Sequence, residues 1–163
     1  MLKYADTVVT FSEIPDEVTL CISISGCPIH CPDCHSKYLW EDIGEELDIK
    51  TLMDIIDRNK GVTCICFMGG DQDIEELKNL AIACHIRSDY PYRVAWYSGR
   101  EKMPENKIMD YLDYIKIGPY KEEFGPINKP TTNQRLYVKG KILNKPDASP
   151  NRFYDITDKF WGN

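Results

Sequence analysis

Apolar runs of strand length alternate with segments of helical period along most of the chain, and this alternation limits the fold more than any other feature. Val18, Leu20, Ile22 and Ile24 alternate with Thr19, Cys21, Ser23 and Ser25, a period-two strand that stops at Gly26. Ile49, Leu52, Met53 and Ile56 recur at helical spacing behind Asp48, which suits an N-cap. Val62 to Met68 is continuously apolar, the pattern of a strand covered on both faces. Asp73-Ile74-Glu75-Glu76 reads as a capping box, and Ile74, Leu77, Ala81 and Cys84 follow on one helical face. Arg93 to Tyr97 is a third strand, closed by Ser98-Gly99, after which Pro104 suits the first turn of a helix carrying Ile108, Met109 and Leu112. Tyr114 to Ile117 is a fourth strand, ended by Gly118-Pro119. Glu122 to Pro130 is a loop broken by Gly125, Pro126 and Pro130, and Gln134 to Val138 reads as a further strand. The tail after about Lys145 reads as extended, pinned to the body by Phe153, Tyr154, Phe160 and Trp161.

Strand–helix units of roughly 25–30 residues imply right-handed crossovers and a mainly parallel sheet. In such sheets the working residues sit in loops at the carboxyl ends of the strands. A length of 163 residues fits one domain spanning 1–163, large enough to fold without covalent staples. The net charge of −6 argues against nucleic acid as a direct partner. No apolar run approaches the ~20 residues of a membrane span, and the N-terminal Met1-Leu2-Lys3-Tyr4-Ala5-Asp6 has no signal-peptide core. The expectation is a cytoplasmic protein without a membrane partner.

Seven cysteines are present, an odd number that speaks against a disulfide framework and for a reducing compartment. Three of them follow the first strand directly, in Gly26-Cys27-Pro28-Ile29-His30-Cys31-Pro32-Asp33-Cys34-His35. Three thiolates in eight residues, in a loop stiffened by two prolines, can converge on one point. Soft thiolates select zinc, copper(I) or an iron–sulfur cluster. Three cysteines leave a cubane one ligand short, so one iron would be free to bind a substrate or cofactor. A zinc knuckle completed by Cys21, His30 or His35 is the competing reading, weakened by Cys21 lying mid-strand and by the absence of a paired C-x2-C or H-x3-H. Cys21, Cys64, Cys66 and Cys84 read as buried core residues, with Cys64 and Cys66 expected on opposite faces of their strand. His30 and His35 read as solvated, and Asp33 is expected to turn to solvent.

The C-x3-C-x2-C spacing behind the first strand of a strand–helix protein resembles the signature of radical S-adenosylmethionine (SAM) enzymes. That resemblance implies a partial parallel (βα) barrel in which Cys27, Cys31 and Cys34 hold a 4Fe-4S cluster. The open iron would chelate the amino and carboxylate groups of SAM, whose reductive cleavage yields a hydrogen-abstracting radical. Met68-Gly69-Gly70-Asp71 resembles the family's Gly-Gly-Glu type motif, with Asp in place of Glu, and implies SAM binding by Gly69, Gly70 and Asp71. Trp96-Tyr97-Ser98-Gly99-Arg100 is similar to an aromatic-Thr-Gly segment near SAM in the activating proteins of anaerobic ribonucleotide reductases, which brings in Ser98. Asp113 to Tyr120, followed by Thr131-Thr132-Asn133-Gln134-Arg135, resembles the closing segments of that same branch.

The implied activity is generation of a glycyl radical on the reductase subunit, with the electron supplied by reduced flavodoxin or a ferredoxin-type donor and no general acid or base on this chain. The alternatives are an activase for another glycyl radical enzyme, a small-molecule radical SAM enzyme and, from a different class, a non-catalytic zinc-binding interaction module.

Overall fold

A computed structural model describes residues 1–86 and 91–162. Eight strands form one mixed sheet: β1 (Lys3–Thr10), β2 (Thr19–Ile24), β3 (Glu45–Glu46), β4 (Cys64–Met68), β5 (Arg93–Tyr97), β6 (Tyr114–Ile117), β7 (Arg135–Lys139) and β8 (Phe153–Asp155). Their spatial order is β3-β1-β2-β4-β5-β6-β7-β8. The strands β2, β4, β5 and β6 run parallel. All other pairings are antiparallel. The described α-helices are α1 (Ile49–Asp57) and α2 (Ile74–His85).

The expectation of a partial (βα) barrel is therefore wrong: the sheet is open and mixed, with two helices among the described residues. A parallel neighbour requires a crossover that carries the chain back along one face of the sheet. Helix α1 does this before β4 and α2 before β5, while the expected helix near Pro104 shrinks to a 3-10 turn over Lys107–Tyr111, capped by Asn106. After β6 the segment 118–134 is too rich in Gly and Pro for a helix, so the chain simply returns and β7 lies antiparallel. Strand β1 had no sequence signal because none of its side chains is fully buried, and on its outer side only Lys3 and Tyr4 pair with the short β3.

Both α-helices start where their caps predict. The Asp48 carboxylate accepts from the Thr51 N–H at 2.7 Å and the Asp73 carboxylate from the Glu76 N–H at 3.1 Å. Each cap satisfies a backbone N–H that the first helical turn leaves without a partner.

Alternation along the parallel strands divides the core into two clusters. One face carries Leu20, Ile22, Ile65, Phe67, Val94, Trp96 and Ile115 against Leu52, Ile56, Leu77, Leu80 and Ile108 of the helical segments. The other carries Cys21, Cys66, Ala95, Tyr114, Leu136 and Val138, and no α-helix covers it among the described residues. Its lid is Ile14 before β2, Ile127 in the loop after β6, Ile142 and Leu143 just after β7, and Ile156 and Phe160 of the tail.

The tail is held by polar contacts as well. The Ile156 N–H donates to the Leu136 carbonyl, the Leu136 N–H to the Thr157 hydroxyl, and Trp161 Nε1–H to the Ile127 carbonyl. Phe153, Tyr154, Phe160 and Trp161 are all half-buried, as expected of anchors. Among the described residues no helix is long and apolar enough to cross a membrane.

Candidate functional site

The carboxyl ends of β2, β4, β5 and β6 open onto one cavity of about 210 Å³. Its floor is the last row of side chains on the tail-covered face. Backbone register places Ser23, Met68, Tyr97 and Lys116 side by side across four parallel strands, and all four line the cavity. The loop after β2 contributes Cys27, Cys31 and Cys34, each half-buried. Gly69 and Asp71 enter from the end of β4, Ser98 and Gly99 from β5, and Gly118, Pro119 and Tyr120 from β6.

Local hydrogen bonds shape the cysteine loop. The Gly26 and Cys27 N–H groups donate to the Glu41 and Leu39 carbonyls, which ties the two legs of the loop together. The Cys34 N–H donates to the Cys31 carbonyl, and the Ser36 N–H points at Cys34 Sγ at 3.3 Å. His30 takes a positive φ and stacks on Trp40 with ring centroids 4.5 Å apart. Both histidines are exposed, as is Asp33, which accepts from the Glu122 N–H. Gly99 makes room for the loop from the opposite side, since a Cβ there would stand 2.8 Å from the Ile29 side chain.

Of the sequence-predicted SAM residues, Gly69, Asp71 and Ser98 line this cavity, whereas Gly70 lies buried against Leu77 and Ile24, and Asp71 is already occupied. One carboxylate oxygen accepts from the Ser98 hydroxyl at 2.5 Å and from Arg100 Nε at 3.1 Å; the other accepts from the Gly99 N–H. The Asp71 side chain is 3% exposed, so it braces the end of β4 against the end of β5 rather than reaching into the cavity as a free carboxylate. The short Asp71 carboxylate is thus reached by the long Arg100 side chain. Gly70 is buried and both glycines take positive φ, at +106° for Gly69 and +93° for Gly70, which only glycine adopts without strain. The box Asn133-Gln134 serves as a buckle, its side-chain amides donating to the Pro119 and Gly118 carbonyls.

The other four cysteines are buried elsewhere. Cys84 packs with the helices, whereas Cys21, Cys64 and Cys66 belong to the tail-side cluster. The expectation that Cys64 and Cys66 project to opposite faces is wrong, because residues two apart on a strand share a face. Burial pushes both of their thiols well above the ordinary range.

The donor set fits an iron–sulfur cluster. Burial raises the Cys31 thiol, the neighbouring Cys34 and Cys27 add to this, and a backbone hydrogen bond at Tyr120 opposes it. Among the described residues no three His, Cys, Asp or Glu side chains meet closely enough to hold one metal ion. Thiols arranged around a cavity suit a sulfide-bridged group of several irons better than a lone zinc. Trp40 Nε1 is buried in the wall without a partner, a donor that an acceptor-rich cluster would satisfy.

Residues 17–137 match the family described as a 4Fe-4S single cluster domain. The chain belongs to that family. No curated protein and no solved structure matched. The match covers β2 to β7 and includes every residue named above as lining the cavity, so the 4Fe-4S assignment and the cavity concern the same part of the chain.

Sequence reasoning did not single out Lys116. Lys116 left a readable trace: one cation inside Tyr114-Ile115-Lys116-Ile117, otherwise a core strand. Burial pulls its ammonium below the usual lysine range, while Glu13, Cys66 and Cys31 act in the opposite direction.

Proposed function

We propose that this 4Fe-4S protein is a radical SAM activase that generates a glycyl radical on an anaerobic ribonucleotide reductase. One observation carries the reading: the C-x3-C-x2-C thiols share a cavity with the ends of three further strands, leaving space beside a cluster that has one ligand too few. In the proposal Cys27, Cys31 and Cys34 are the cluster ligands. When bound, the cluster and SAM supply one-electron cleavage of the sulfonium and, from it, hydrogen abstraction.

The chain's own residues position and enclose. Gly69 lets a ligand approach the backbone at the end of β4, and Gly70 lets the chain turn close over Leu77 and Ile24. Asp71, through Ser98, Gly99 and Arg100, fixes the distance between two strand ends that both face the ligand. Asn133 and Gln134 hold the wall after β6. No side chain needs to move a proton, which agrees with a site whose only cavity-facing carboxylate, among the described residues, is braced at both oxygens.

The test is anaerobic purification and reconstitution, followed by incubation with SAM and a reductant. About four irons per chain, with release of methionine and 5′-deoxyadenosine, are expected. One tightly held zinc and no cleavage would refute the reading in favour of a zinc module. A glycyl radical signal that appears when a candidate reductase is added identifies the partner, and cleavage without such a signal points to a different glycyl radical enzyme or a small-molecule substrate.

A further inference from the structure

Lys116 stands on the cavity floor between Tyr97 and Leu136, the one charged side chain in the row of Ser23, Met68 and Tyr97. Its ammonium lies 4.1 Å from the centre of the Tyr97 ring. That ring is itself fixed, because the Tyr97 hydroxyl donates to the Glu13 carbonyl. Among the described residues no carboxylate forms an ion pair with Lys116, and Glu13, whose charge reaches it, is not within pairing distance.

Lys116 is half-buried, and the Tyr97 π-face only partly compensates an ammonium that has given up hydration without an anionic partner. What the ammonium faces instead is the cavity shared with Cys27, Cys31 and Cys34. Three thiolates around iron and sulfide give that cavity a net negative charge once loaded, and adding one electron makes it more negative still.

We infer that Lys116 is the internal counter-charge of the 4Fe-4S cluster, placed to favour its reduced state. The inference rests on the cluster assignment proposed above and concerns the electron transfer that precedes any use of SAM. Reduction adds one electron to the cluster, and the fixed positive charge of Lys116 offsets it. At an effective dielectric near 20, a unit charge about 10 Å away changes the interaction with that electron by more than a factor of ten in equilibrium constant. Net charge near the cluster is one of the levers that set iron–sulfur potentials.

The experiment is a spectroscopic redox titration of reconstituted protein without SAM and without a partner, on wild type, Lys116→Met, Lys116→Gln and Lys116→Arg. Iron and sulfide are counted in each sample first. The inference expects all four proteins to carry the cluster. In the Met and Gln variants the one-electron reduction constant should fall about tenfold or more, equivalent to 59 mV per decade, while Arg stays near wild type. Loaded Met and Gln variants with an unmoved potential would overturn the inference, even if their SAM cleavage were impaired, since Lys116 would then serve the ligand and not the cluster. An Arg variant shifted as far as Met would overturn it too, because shape and not charge would be responsible. A wild-type protein that takes up no cluster would refute the site assignment itself, an outcome distinct from the others. Gln keeps a polar side chain of similar reach, so the comparison survives if Met at this position prevents folding.

Discussion

Three of the seven cysteines sit in a loop and three lie side by side on one sheet face a few residues away, and the two trios have nothing in common except their element. Cys27, Cys31 and Cys34 are half-exposed around a cavity, in a loop whose backbone is held by Leu39 and Glu41. Cys21, Cys64 and Cys66 are fully buried one or two rows below the same cavity floor, sealed by Ala95, Tyr97 and the tail. A thiol needs access and an ionisable setting to bind metal, and the strand trio has neither. Proximity of sulfur atoms does not make a metal site; the loop provides what the strand denies.

The sharpest way to break this contrast is to exchange the consequences of losing one sulfur from each trio. Cys31→Ala should abolish cluster binding and with it SAM cleavage, leaving the unfolding midpoint in urea almost unchanged. Iron content of about four per chain in that variant would remove Cys31 from the ligand set. Chemical reactivity gives the next largest difference. In metal-free native protein, iodoacetamide should label the loop trio and spare Cys21, Cys64 and Cys66 until urea is added, as read by peptide mass spectrometry. Because burial raises the Cys31 thiol above its ordinary value, its thiolate is scarce at neutral pH and labelling there should rise about tenfold per pH unit. A rate already flat at neutral pH would show a depressed thiol instead.

Smaller effects test the supports. Asp71→Asn leaves the Arg100 guanidinium without its anion and should cost about 1–3 kcal/mol in urea unfolding. It should also weaken retention of SAM more than retention of iron; equal loss of both would place Asp71 in the cysteine loop's support instead. Cys66→Ser puts a hydroxyl in a dry cluster and should cost about 1–3 kcal/mol with iron content intact. A loss of iron there would mean that the two trios are coupled after all.

Much of this was legible in the residues. The four parallel strands, both helix caps and the loop of three thiols follow from periodicity, cap chemistry and spacing, because each of these is a local property. Strand direction is not local. Arg135 to Lys139 has the same apolar pattern whether it runs parallel or antiparallel, and only the helix-free return from Gly118 to Gln134 decides. β8 is three residues long and β3 two, too short for a period to register. The site was readable as a set of strand ends, yet the engagement of Asp71 by Arg100 was not. Nothing in either segment says that two loops 29 residues apart exchange an ion pair.

The irregular cover over the second face also bears on how the protein is made. During synthesis all of the parallel strands leave the ribosome before Ile142, Leu143, Ile156 and Phe160, so for that interval Cys21, Cys66, Tyr114 and Leu136 have only Ile14 and Ile127 to cover them. Nascent chains of this protein therefore pass through a stage with one greasy, thiol-rich face poorly covered and open to holding and triage factors, and a ribosome stalled anywhere before the tail leaves a sticky product, not a shorter version of the same fold.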